Sequence, residues 1–314
     1  MLFLYFVIAF LSIILIFLIY RLISSTYYIG EQYDSDNKNK TSTLSDSSNN
    51  KYVSCEYLGG LGNQLFCIYT AISYGLNNKK SPVFIYKDST SGRKTYFDNL
   101  LKNVNMYKEI DIKWENIYEN GNGTYTVDDS FKHKNIMFNG YLQSYHNFID
   151  NIDIINNMLD IASQKDLIKK KYSDLVDTNM VAIHFRLGDY KHLSHVHDIL
   201  PDNYYSKALD HIKTDNKKIL VFCEKEDYEE VEKKMNNILK NTQNSKFKIV
   251  KNIEIDYEEM LLISLCSYII CANSTFSFWA GVLSGHKNVY IPLFKWYSNS
   301  KDRYLLPGWT LIEY

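Results

Sequence analysis

"NMVAIHFRLGDY", residues 179–190, runs from an apolar stretch straight into a histidine, an arginine and an aspartate within seven positions. The apolar part predicts a strand, and the polar part its carboxyl edge. Open α/β sheets place ligands at that edge, so His184, Arg186 and Asp189 stand where a ligand would be held, and one fixed cation there suits an anion. A solvated Arg186–Asp189 surface pair would look the same in sequence, and such pairs are common. The surrounding chain has to decide between them.

Outward from this strand the pattern is regular. Strands are predicted over 179–185, 218–224, 246–250, 268–274 and 288–294, and helices over 202–212, 228–239, 256–266 and 276–285. Such βαβα succession means a parallel sheet with helices on both faces. The first half shows the same habit less clearly. "YVSCEYL" (52–58) reads as a strand, "GGLGNQ" (59–64) as a glycine turn, "LFCIYTAISYGL" (65–76) as a helix and "PVFIYK" (82–87) as a second strand, while 87–134 is mixed in period. The expected fold is therefore α/β, with two Rossmann-like domains facing each other across a cleft, an N-terminal one over 52–170 and a C-terminal one over 171–314. No internal repeat is found.

Ahead of these domains, residues 2–20 are uncharged and apolar and long enough to span most of a hydrocarbon core of about 30 Å. A transmembrane signal anchor is expected over 2–23, followed by a flexible stem over 24–51 whose Ser, Asn, Asp and Lys residues bury too little to fold. The apolar run is longer than the core of a cleaved signal peptide. The expected placement is a single-pass type II membrane protein with its catalytic domain on the lumenal side of a Golgi- or ER-like membrane.

The 35 Lys and Arg against 36 Asp and Glu give a net charge of -1, which supplies no field for counterion release and excludes nucleic acid as a partner. The five cysteines have no C-x-x-C spacing and sit mostly in apolar patterns, so buried free thiols are expected rather than zinc or disulfides.

Three junctions carry the chemistry. The turn at Gly59–Gln64 lets backbone N–H groups approach a ligand at a helix start, although it lacks the third glycine of a dinucleotide fingerprint. The plainer alternative is a tight turn with Asn63 as N-cap. "CANSTFSFWAG" (271–281) puts Asn273, Ser274, Thr275 and Ser277 at a second strand-to-helix junction, and with "HFRLGDY" (184–190) the three would line one cleft. Asn273, Asn39 and Asn122 each open an N-glycosylation pattern. His192, His195 and His197 beside Asp198 could take a metal, a sugar hydroxyl or a proton. The only D-x-D, Asp34–Asp36, lies in the stem, which speaks against a metal-held sugar diphosphate.

"GGLGNQLF", "NGYLQSYHNF" (139–148), "HFRLGDY" and "EEMLLISLCSYIICANSTFSFWAG" (258–281), in that order and spacing, resemble glycosyltransferase family 11, the α-1,2-fucosyltransferases. The resemblance implies a GT-B fold, GDP-β-L-fucose as donor, inversion at the anomeric carbon, no cofactor or required metal, and a galactose 2-hydroxyl or similar glycan acceptor. It implies that Arg186 serves the donor phosphates. Leu187 stands where the family has a second arginine, Tyr145–His146 follow Gln143–Ser144 in place of an acidic–basic pair, and Glu259 replaces an aspartate.

On this basis Arg186, Asp189 and Asn63 are the expected catalytic residues. Gly62, His184, Arg186, Asn273, Ser274, Thr275 and Phe276 are expected to bind the donor, and Gln64 and Gln143 to face the acceptor. A guanidinium keeps its charge at any working pH and grips two phosphate oxygens at once. Asp189, His197 and Asp198 remain alternatives for the general base. A transferase using another GDP-sugar or a protein acceptor, and a non-catalytic membrane-anchored sugar-binding protein, are the rival readings.

Overall fold

The computed structural model describes residues 42–45, 52–177, 179–192, 198–212, 214, 217–240, 246–293 and 300–314. The anchor expected over 2–23, most of the stem, and His195 and His197 lie outside the described residues. Among the described residues no helix is long and apolar enough to cross a membrane. The stem prediction needs one correction: Thr43–Ser45 form a strand paired in parallel with Glu109–Asp111. A three-residue run gains its backbone partners from a neighbour more than sixty positions away, which composition cannot reveal.

Two parallel sheets carry the fold. In the first, β1 (Tyr52–Cys55), β2 (Ser81–Pro82), β3 (Glu115–Tyr118) and β4 (Ile136–Asn139) lie in the order β2-β1-β4-β3. In the second, β5 (Met180–His184), β6 (Lys218–Phe222), β7 (Phe247–Ile249), β8 (Tyr268–Ile270), β9 (Val289–Pro292) and β10 (Thr310–Ile312) lie in the order β7-β6-β5-β8-β9-β10. Every pairing within these two sheets is parallel. The strand predicted over 82–87 breaks at Val83, because Ser81–Pro82 pair with β1 whereas Phe84–Ile85 pair with Met106–Tyr107.

The helices that position the site are α1 (Leu61–Asn78), α2 (Ile161–Lys171), α3 (Asp202–Asp210), α4 (Tyr228–Leu239), α5 (Asp256–Ser264), α6 (Thr275–Ser284) and α7 (Ser300–Tyr304), and a further short helix covers Ile152–Met158. The side-chain period of two decides how the second sheet is covered. Met180 and Ala182 of β5 face one apolar cluster with α5 and α6, while Val181 and Ile183 face another with α3 and α4. Helices on both faces explain why β5 reads as an unbroken apolar run.

The first apolar cluster spans both halves of the chain. Phe66 of α1 stacks on Phe278 of α6 with ring centroids 5.1 Å apart, and Trp279 lies 4.5 Å from Tyr69 and 4.8 Å from Phe148. Such aromatic pairs contribute about 0.5–1.5 kcal/mol each beyond the area they bury. Lys171, the last residue of α2, pairs with Glu258 of α5 at 2.7 Å. Near the C-terminus α7 returns to the first half, where the Tyr304 hydroxyl donates to Gln143 Oε1 at 2.7 Å. The halves therefore share a core beneath the expected cleft.

Gly62 sets how closely α1 and α6 approach. A Cβ there would lie 2.5 Å from the Thr275 carbonyl carbon, a backbone atom that cannot swing aside. Gly62→Ala is expected to lower stability by about 1–3 kcal/mol, the usual cost of overpacking, and urea unfolding of the full chain measures it.

Candidate active site

The order β7-β6-β5-β8-β9-β10 reverses direction between β5 and β8. Adjacent connections leave these two strands toward opposite faces, so a crevice opens at their carboxyl ends, where such sheets bind ligands. β5 leads into Phe185–Tyr190 and β8 into Cys271–Ser274 followed by α6. The topology thus brings two of the three sequence-predicted junctions together. Gly62 brings the third, because the start of α1 packs on the start of α6.

Arg186 projects at the mouth of this crevice with its side chain 24% exposed. Its Nη2 donates to Asp189 Oδ1 at 2.8 Å and its Nη1 to Glu224 Oε1, and its guanidinium lies 5.5 Å from the Tyr190 ring centroid. Two carboxylates thereby fill the planar fork, the arrangement a guanidinium also offers to phosphate oxygens. Gly188 makes room for Glu224, since a Cβ at that position would collide with its carboxylate. Asp227, 1% exposed, fixes the loop by accepting from the Gly188 amide at 2.8 Å and from Lys191 Nζ at 2.7 Å. Asp227, and not Asp189, is thus the carboxylate that braces this loop. Sequence reasoning missed Glu224 and Asp227, although Glu224 ends the predicted strand 218–224 at the same carboxyl edge.

His184 is buried and its imidazole lies 5.4 Å from the Phe276 ring. Burial, reinforced by the neighbouring Arg186 charge, pushes its pKa down to about 3, so it is neutral at any working pH. Its Nδ1 is buried without a hydrogen-bond partner among the described residues. Burial pushes the half-buried Glu259 carboxyl up to about 8, with Asp256 and Glu224 adding to the effect. Burial also raises Glu224, against the opposing pull of Arg186.

Several expected ligand contacts are committed within the protein. Asn63 does not cap its helix: α1 begins at Leu61, Gly60 is the N-cap, and no side chain caps the first turn. Asn63 Oδ1 instead accepts from Thr275 Oγ1 and from Gln143 Nε2, both at 2.9 Å, tying the two halves together. Gln143 is buried in that bond and in the one to Tyr304, away from an acceptor. Gln64 is fully buried, its Nε2 donating to Gly59 O and to Lys94 O at 2.8 Å each, so it too is out of an acceptor's reach.

Ser274 caps α6 by accepting from the Phe276 amide at 3.2 Å. Asn273 is 3% exposed, and its Nδ2 donates to Asp198 O at 2.6 Å. A glycan on Asn273 is therefore incompatible with the fold, and that sequon is a chance match. Asn122 is exposed, and Asn39 lies outside the described residues. All five cysteines are buried and free. Among the described residues no cluster of three metal-ligating side chains occurs.

The model of the family described as Glycosyl transferase family 11 matches residues 90–313, which take in β5, β8 and the crevice but not the Gly59–Gln64 turn. Among curated proteins, the O-antigen biosynthesis glycosyltransferase WbnK of Escherichia coli is 28% identical over 163 residues, 50% of this chain and 51% of that protein. An alpha-1,2-colitosyltransferase of Escherichia coli is 27% identical over 155 residues, 48% of this chain and 52% of that protein. The chain thus spans about half the length of the curated relatives it matches. A solved structure of an Arabidopsis thaliana FUT1 mutant in complex with GDP aligns with 80% of this chain and 72% of its own at 14% identity and a TM-score of 0.46.

A carboxyl whose pKa rises on folding binds its proton more tightly in the folded state, so it costs no stability below the unfolded value and lowers stability as pH climbs toward the folded one. Glu259→Gln is therefore expected to match wild type near pH 4.5 and to gain on it steadily up to about pH 8. Denaturant midpoints of both proteins across that range test the sign.

Proposed function

Because the chain belongs to glycosyl transferase family 11, we propose that it transfers L-fucose from GDP-β-L-fucose to a hydroxyl of a glycan, a galactose 2-hydroxyl or similar, with inversion. The observation that carries this reading is the position of Arg186 at the switch point between β5 and β8, with its fork already engaged by two carboxylates. The architecture proposed is GT-B, with the donor on the β5–β8 side.

In this mechanism the acceptor hydroxyl attacks the fucose anomeric carbon as the bond to the diphosphate breaks. Charge grows on the β-phosphate, and Arg186 stabilises it through two parallel N–H bonds in a partly desolvated site. Donor phosphates replace Asp189 and Glu224 on the guanidinium. Asp189, half-exposed and released from that pair, is then free to take the hydroxyl proton. Ser274, Thr275 and Phe276 line the same crevice, while Asn63 holds Thr275 in place. No metal is required in this scheme, since the guanidinium supplies the positive charge, and turnover is expected to persist in EDTA.

One observation favours a second donor. A relative carries colitose in its name, and a pocket for one deoxy-hexose discriminates weakly against another that differs by a hydroxyl unless it bonds that hydroxyl. A non-catalytic sugar-binding role is disfavoured by the retained Arg186. Thermal-shift titration with GDP, GDP-fucose, GDP-mannose and UDP-galactose, followed by donor hydrolysis assays, separates these readings.

Arg186→Lys keeps the charge and loses the fork, and kcat is expected to fall roughly 10²-fold, the scale of removing one preorganised transition-state contact. Arg186→Ala should cost more and also weaken GDP binding. A surface pair would be worth only about 0–1 kcal/mol. If steady-state kinetics on folded Arg186→Ala leave more than about a third of wild-type kcat/KM, a loss below roughly 1 kcal/mol, the phosphate assignment is wrong.

A further inference from the structure

We propose that Arg93, from the N-terminal half of the chain, is the second cation of the diphosphate site, reaching across the crevice to the place that Leu187 leaves without charge. The inference rests on the nucleotide-sugar reading of Arg186. The strand end itself has room for only one guanidinium in the crevice. Leu187 is 1% exposed and packs with Phe185 in the apolar cluster beneath α3 and α4, so the residue after Arg186 points into the core.

Arg93 sits in a short antiparallel hairpin, Ser89–Thr90 against Arg93–Lys94. Contacts to both halves hold that hairpin beside the crevice, and Thr90 Oγ1 donates to the Tyr57 carbonyl at 2.7 Å. Gln64 Nε2 donates to the Lys94 carbonyl at 2.8 Å and so ties the hairpin to the start of α1. Lys94 Nζ pairs with Asp256 of α5 at 2.6 Å, and the Tyr96 hydroxyl donates to the same carboxylate at 2.5 Å, tying the hairpin to the other half. The Arg93 side chain stays 61% exposed, so packing does not explain its direction.

That direction is toward Asp189. Arg93 Nη2 lies 3.9 Å from Asp189 Oδ2, while Arg186 Nη2 bonds Asp189 Oδ1 at 2.8 Å. One carboxylate is bracketed by two guanidinium groups, one from each half, each facing a different oxygen. An anion with more oxygens and more charge fits the same bracket better than a carboxylate does. Charge balance points the same way. Asp189 and Glu224 occupy Arg186, so a diphosphate arriving on that single cation would meet two displaced carboxylates. A second guanidinium offsets one of them and compensates charge on the phosphate.

Calorimetric titration of the full chain with GDP, GMP and guanosine tests this in wild type, Arg93→Gln, Arg93→Lys and Arg186→Ala. Arg93 is exposed, so melting temperature should barely move. Arg93→Gln is expected to weaken GDP roughly tenfold and to leave guanosine within about twofold, with Arg93→Lys recovering part of the loss because it keeps charge without the fork. GDP binding within about twofold of wild type in Arg93→Gln, alongside its loss in Arg186→Ala, overturns the inference and leaves the Arg186 site standing. Equal weakening of GDP and guanosine also overturns it, because Arg93 would then be holding the halves together and not the phosphates. If wild type binds neither GDP nor GMP, the nucleotide-sugar reading itself fails and takes this inference with it.

Discussion

The contact between the first turns of α1 and α6 governs everything the crevice does. Backbone meets backbone where Gly62 approaches Thr275, and neither surface can yield as a flexible side chain would. From that contact the aromatic cluster follows, since only helices this close can stack Phe66 on Phe278 and wedge Trp279 between Tyr69 and Phe148. The Asn63–Thr275–Gln143–Tyr304 bonds then lie directly above that cluster as a polar seal. They are all satisfied within the protein, and buried groups of this kind are costly to break. The two sheets are therefore tied together at their base, below the rim where Arg93 and Asp189 stand.

Much of this architecture was legible because the second half obeys two periodicities without interruption. Residues 228–239 alternate charge and apolar side chains at helical spacing, and α4 occupies that range to the residue. The first half resisted because its strands are two to four residues long and change partners within a few positions, as at Val83. Period cannot be measured on two residues. The strand Thr310–Ile312 was missed for the same reason: three residues after Pro307–Gly308 carry no pattern of their own and owe their conformation to β9.

For the site, what could be read was what a local rule addresses. The carboxyl-edge rule found Arg186 and, applied once more at the end of 218–224, would have found Glu224. The alternative of Asn63 as N-cap fails because cap preference is a statistical statement about isolated helix ends. Here a ligand-sized polar side chain was wanted by Thr275 from 212 positions away. Gln64 and Gln143 were placed on the acceptor side by resemblance, whereas their burial makes them struts. Arg93 carries no local signal at all. A lone basic residue in a mixed-period stretch acquires meaning only when the hairpin delivers it beside Asp189.

Burial sorts the charges of the crevice by depth. His184 at its floor is neutral because desolvation and the neighbouring Arg186 charge both oppose its protonation. Glu259 holds its proton up to about pH 8 for the matching reason, with two neighbouring carboxylates opposing its ionisation. Neither group can therefore cancel or duplicate the charge of Arg186, which no accessible pH removes. Asp189 and Arg93, at the rim, are the side chains that water still reaches. A floor stripped of titrating charge lets one guanidinium act through a low dielectric, where its effect on a phosphate oxygen is several times larger than in water. Burial thus leaves Arg186 a fixed charge between neutral groups at the floor and the exposed Asp189 and Arg93 at the rim.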